Sequence, residues 1–203
     1  MQVENHKEEV PFSHYAGLFA ALDPKEALVR WPELPFDGEA FTMTLLGRTY
    51  RVLWPSAEVR PVDKGPAPGL PTQTYLLRIL LEGKEVPSTG TYKTFREMPW
   101  GEMYIGPYTG RVLTRAAFTF GTRLPAFRAA CEKLGAESLK SGEAGYRFRF
   151  FGPYFMEILL WAGDEEFPPS AQVLYSDNFA GGFAAEDRVV AGDLLIGTIK
   201  AAM

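Results

Sequence analysis

The clearest pattern in the chain is alternation on both sides of a glycine. In FTMTLLGRTYRVLW, Phe41, Met43 and Leu45 alternate with Thr42 and Thr44; beyond Gly47, Tyr50, Val52 and Trp54 alternate with Thr49 and Arg51. A period of two on each arm predicts a β-hairpin with one face on a core and the other toward water. YRFRFFGPYFMEILLW repeats the plan around Gly152–Pro153 with a more apolar composition, and AQVLYS reads as a further strand. A turn at Gly152–Pro153 sets Glu157 opposite Phe148.

Between these runs the period lengthens to that of a helix. Tyr15, Leu18, Phe19 and Leu22 fall at i, i+3, i+4 and i+7, with Ser13 placed as an N-cap. Asp23, Pro24 and Glu26 then mark a second helix start, either a separate helix or a bend of the first. TYLLRILLEG reads as a buried helix closed by Gly83, and a helical piece is expected around Leu113–Phe120. LPAFRAACEKLG carries Phe127, Ala130, Cys131 and Leu134 on one stripe before the stop at Gly135, and EDRVVAGDLLIGTIKAAM closes the chain with acids first and Lys200 last. The Gly- and Pro-rich stretch from Val86 to Gly110 is expected to be loop with short strands.

These elements predict an α+β fold of antiparallel hairpins forming one or two sheets, packed with helices. Residues 1–12 read as a flexible lead-in, and 13–203 as a single domain. Residues 14–83 and 124–203 share a helix, hairpin, loop, helix order, the arrangement an internal duplication would leave, and the tripeptide GPY occurs at 106–108 and 152–154.

Charge and composition narrow the function. A net charge of −4 argues against a broad nucleic-acid surface. With Cys131 alone, no intrachain disulfide can form, which suits a reducing, cytoplasmic setting. The polar N-terminus has no apolar signal core, and no run approaches the roughly 20 apolar residues that span a bilayer.

Candidate chemistry is sparse. Asp164, Glu165 and Glu166 stand together in WAGDEEFPPS, yet neighbours on a turn seldom converge on one cation, and a solvated strand connection is the commoner arrangement. Glu157 interrupts an apolar run, where a carboxylate can act as acid or base; pairing with Arg147 or Arg149 is the plainer role. Asp187, at a helix start, completes the acidic candidates. His6 and His14 have no ligand spacing, Cys131 lies on an apolar stripe, and no nucleotide-loop or nucleophile-elbow motif is present, so no metal or cofactor is expected. Two glycines in FAGGFAAED precede a helix start, a weak anion signal. In REMPWGEMYIGPY, Arg96, Trp100, Tyr104 and Tyr108 offer the residue types of a recognition surface, or of a lid folded on the core.

TYKTFREMPWGEMYIGPY, LLWAGDEEFPPSAQVLYSD and AAEDRVVAGDLLIG together resemble an uncharacterised prokaryotic family, domain of unknown function 3786, over about His14 to Ile199. The resemblance implies a family frequent in anaerobic bacteria and archaea, some of whose members carry a cysteine-rich, iron–sulfur-type region. A chain with one cysteine cannot hold that region. The expected function is a soluble, non-catalytic binding or accessory module for a protein partner or small ligand, without nucleic-acid or membrane binding. The competing expectation is a carboxylate-dependent enzyme, metal-assisted or general acid–base, using Glu157, Asp164 or Asp187.

Overall fold

In the computed structural model, which describes residues 6–203, the contacts divide the chain into two compact units, one up to Glu85 and the other from Val86 onward. The fold is α+β, with two antiparallel sheets and helices around them. Of the lead-in read over 1–12, residues 1–5 lie outside the described residues, and Glu9 to Phe12 are already helical. Ser13 therefore sits inside helix α1 (Glu9–Ala21) and caps nothing.

In the first unit α1 is followed by a separate α2 (Pro24–Arg30). Pro24 has no N–H to satisfy, and the Asp23 side chain accepts the Lys25 N–H at 2.9 Å. The predicted hairpin forms as β1 (Ala40–Leu45) and β2 (Arg48–Leu53), joined by Leu46 (φ 48) and Gly47 (φ 81). Positive φ at both turn residues is what a tight type I′ hairpin turn requires, and glycine adopts it without strain. β3 (Val59–Pro61) completes a sheet of order β1-β2-β3. α3 (Leu70–Leu81) packs on α1 and buries Tyr75, Leu76, Leu77, Ile79 and Leu80. Trp31 is buried with its indole N–H on the Ile79 carbonyl at 2.9 Å, so the largest core side chain here is also polar-satisfied.

The second unit holds β4 (Tyr92–Thr94), α4 (Gly101–Tyr108), α5 (Arg115–Phe120), α6 (Leu124–Lys133), β5 (Glu137–Leu139), β6 (Ala144–Phe151), β7 (Tyr154–Trp161), β8 (Ser170–Ser176), α7 (Phe179–Gly182) and α8 (Ala185–Ala202). Its sheet runs β4-β8-β7-β6-β5, antiparallel throughout. Tyr146, Phe148, Met156, Ile158, Leu160, Val173 and Tyr175 share one face and are all buried. α5 and α6 pack on the sheet, and α8 packs on α6.

The second hairpin turns at Gly152–Pro153 as expected, but its register differs by one residue. Phe151 pairs with Tyr154, whereas Arg149 pairs with Phe155, so Phe150 is an extra residue on β6. Phe148 therefore faces Met156, and Glu157 faces Arg147 rather than Phe148. Packing explains the bulge: Phe150 is fully buried against Phe179 and Phe183, with ring centroids 5.5 and 6.2 Å away.

The Val86–Gly110 stretch departs furthest from the loop expected of it. Residues 101–120 form one continuous helical run, α4 and α5 joined by a π-helical segment Thr109–Thr114. Gly101, Gly106 and Pro107 weaken helix propensity there, and packing against β8 and α8 overrides them. The two GPY tripeptides consequently adopt different structures, helix interior at 106–108 and hairpin turn at 152–154. Among the described residues, no helix is long and apolar enough to cross a membrane.

Candidate functional site

β4 pairs with only the last part of β8, through Tyr92↔Ser176, Lys93↔Tyr175 and Thr94↔Leu174. A polar knot holds it there. Asp177 accepts from the Ser88 and Thr89 hydroxyls and from the Thr89 N–H, and its own N–H meets the Thr91 carbonyl at 3.0 Å. Those donors pull the Asp177 carboxyl down to about 2. Asn178, buried, donates to the carbonyls of Val86 and Pro153, and its Oδ1 lies 2.6 Å from the Ser176 hydroxyl.

At Thr94 the chain leaves the edge. Glu97 accepts from both the N–H and the hydroxyl of Thr94 at 2.7 Å, a reciprocal cap that turns residues 95–97 into a 3-10 turn. Residues 170–173 of β8 are thus left with no strand on that side among the described residues. Because Asp177 points its N–H at β4, strand alternation turns the N–H and C=O of Tyr175, Val173 and Ala171 to the same side. Tyr175 is met by Lys93; Val173 and Ala171 lie beyond the end of β4.

The helical run 101–120 returns alongside this open edge. Trp100 starts it in the left-handed region (φ 64), and Gly101 passes so close to Phe95 that a Cβ would lie 2.1 Å from the Phe95 carbonyl oxygen. Tyr108 stacks on Phe95 with centroids 4.1 Å apart and planes within 8°. Arg188 of α8, itself buried, sets its guanidinium 5.7 Å from the Phe95 ring and donates to the carbonyls of Pro99 and Ala184. Burial lowers the proton affinity of that guanidinium and pushes the Tyr108 phenol up. Asp193 binds Arg111 and Arg115, tying the π segment to α8.

Between edge and helix runs a groove in two adjoining parts. The larger, about 310 Å³, is lined by Phe95, Arg96, Ile105, Tyr108, Leu113 and Val173 among others. The smaller, about 200 Å³, continues from Leu113 past Ala117 and Phe118 to Pro169, Ser170 and Ala171. Apart from Arg96 the lining carries no ionised side chain.

The recognition candidates distribute unevenly over this site. Arg96 lies at the lip of the larger cavity and pairs with Glu102 at 3.2 Å, and Tyr108 is buried in its wall. Tyr104 reaches Glu186 at 3.3 Å, and Trp100 stands 68% exposed at the head of α4. The acidic candidates lie apart from the groove lining. Glu157 is buried against Arg147, which donates Nε and Nη2 to one oxygen at 3.0 and 2.8 Å. Asp164 closes its own turn, accepting the N–H of Phe167 and Glu166, which hold its carboxyl below the usual range. Asp187 is buried in the first turn of α8. His14 sits mid-α1 in edge contact with Tyr15, and the buried Cys131 thiol is pushed up to about 12. Ile105, Leu113, Gln172 and Val173 also line the groove, though no residue type marks them as site residues; their signal is β8 alternation beside a helix masked by glycines and proline.

Fold and groove together define an α+β protein with a helix laid beside a half-open sheet edge. Among its described residues no three His, Cys, Asp or Glu side chains group to hold a metal ion. A family model described as a domain of unknown function (DUF3786) matches residues 23–198, and the chain belongs to that family. No curated protein and no solved structure matches it.

Proposed function

We propose that the chain is a non-catalytic binding module that takes an apolar or aromatic part of its ligand into the groove beside β8. The observation that carries this reading is the roughly 310 Å³ cavity whose wall is the Phe95–Tyr108 stack and whose one charged lining residue is Arg96. An apolar cavity with a few polar groups at its rim is the usual form of a ligand site. Its lining lacks carboxylate, imidazole and thiol, the groups that proton transfer or nucleophilic attack would use. Trp100 and Met103, both exposed at the start of α4, extend apolar surface for a protein ligand.

Two probes test it: indole, and 4-phenylbutyrate, whose carboxylate can meet Arg96. Each is titrated into isotope-labelled full-length protein. Amide shifts are expected at Ile105, Thr109, Leu113 and Gln172, and are expected to vanish in Leu113→Arg. No response there, with Mn²⁺ instead broadening signals around Glu157, Asp164 or Asp187, would replace the module with a carboxylate-dependent enzyme.

A further inference from the structure

The groove has a backbone wall as well as an apolar one, and that wall points to the ligand's chemistry. Deepening the binding-module reading and resting on it, we infer that the occupant is an extended segment of a partner protein, added as a strand to β8 where β4 stops. β4 already occupies this edge in antiparallel register from Ser176 to Leu174. The Thr94–Glu97 cap then diverts the chain, while β8 runs on for Val173, Gln172, Ala171 and Ser170. Val173 and Ala171 turn their N–H and C=O to the vacated side and both line the groove, one in each part; Ala171 is partly exposed, whereas Val173 is buried at the groove's floor.

A small round ligand would leave that ladder of donors and acceptors unused. An extended peptide completes it and fits its side chains into the helix-walled space, which is how strand addition divides affinity and specificity. Four paired residues span about 13 Å at about 3.3 Å each. Running antiparallel to β8, as β4 does, the segment brings its N-terminal end to Arg96. It presents alternate side chains to Ile105, Leu113 and Phe118. Arg96 is exposed and, among the described residues, pairs at the surface with Glu102, so an acidic residue at that end can take the guanidinium over. The helical run also keeps the edge from pairing with a second copy of the sheet, since a strand must enter a walled groove rather than a flat border.

The test is a random peptide-display selection on the full-length chain, with Leu113→Arg and Ile105→Glu as parallel baits. Enriched peptides are expected to alternate apolar and polar residues, to carry an acid near the N-terminal end, and to be lost on both baits. The best peptide is then resynthesised with single N-methyl groups at successive amides. Methylation at alternate amides is expected to weaken binding about tenfold, because each deletes one ladder hydrogen bond and inserts a methyl group, and at intervening amides to change it less than twofold. Peptides blocked by the groove variants yet indifferent to methylation would overturn strand addition and leave the binding module standing. Enrichment unaffected by either variant would remove the groove itself. No enrichment at all would overturn the peptide as ligand class, leaving the indole and phenylbutyrate titrations to judge the module separately.

Discussion

Arg147 and Glu157 face each other across β6 and β7, two guanidinium nitrogens bonding to one carboxylate oxygen at 3.0 and 2.8 Å. The third nitrogen reaches Glu137 at 2.9 Å, and the guanidinium carbon lies 5.1 Å from the Tyr92 ring centroid. Glu157 is the more buried partner, so removing Arg147 strands a carboxylate away from water. Arg147→Met is expected to cost about 2–3 kcal/mol, and adding Glu157→Leu to recover at least half of it. Urea midpoints of the two single variants and the double variant check this. Simple addition of the single losses would show that the pair is not coupled.

Asp177 should make the β4 anchor acid-sensitive. Its folded value of about 2 lies below the roughly 3.9 of an unfolded aspartate, so its stabilisation is complete above about pH 4 and is lost as pH falls toward 2. Asp177→Asn is expected to be less stable than the parent at neutral pH, with the gap closing across that window. Denaturation midpoints at a series of pH values would show it; a gap constant from pH 7 to pH 2 contradicts the assignment.

The turn that launches the helical run should respond in opposite senses at its two residues. Gly101→Ala drives a methyl into the Phe95 carbonyl and is expected to lose more than about 2 kcal/mol. Trp100→Gly relieves a left-handed residue that is mostly exposed, and is expected to gain about 0.5 kcal/mol while weakening a protein ligand. Thermal unfolding decides both. Marked destabilisation by Trp100→Gly would mean that the indole is structural.

Cys131 should behave as a core methyl-sized group. Fully buried and pushed up to about 12, its thiol is expected to be silent to an aromatic disulfide reagent at pH 8 and to react within seconds in denaturant. Rapid labelling of the native chain would place it in a mobile or open region.

Where hydrophobic period and turn chemistry agreed, the elements were legible without coordinates. The Leu46–Gly47 hairpin, the apolar stripe of α6 and the acid-led start of α8 each follow from local residues whose preferences point one way. Residues 101–120 were not legible, because glycine and proline speak against a helix locally while Val112, Ala116 and Phe120 earn it only by burial. The groove suffered accordingly. Arg96 and Tyr108 stood out by residue type, whereas its other wall, Leu113 with Val173 and Ala171, needed the helix and the strand to be brought side by side.

The paired residue of Glu157 marks the same division. Alternation and Gly152–Pro153 dictate a hairpin with the glutamate among apolar neighbours, and counting from the turn puts Phe148 across from it. Phe179 and Phe183, 29 and 33 residues beyond Phe150, draw it out of the ladder and bring Arg147 there instead. Strand and helix preferences act between near neighbours and are written in the order of residues. Register, and the length of edge that β4 leaves open, depend on contacts between distant segments, and those exist only once the chain has folded.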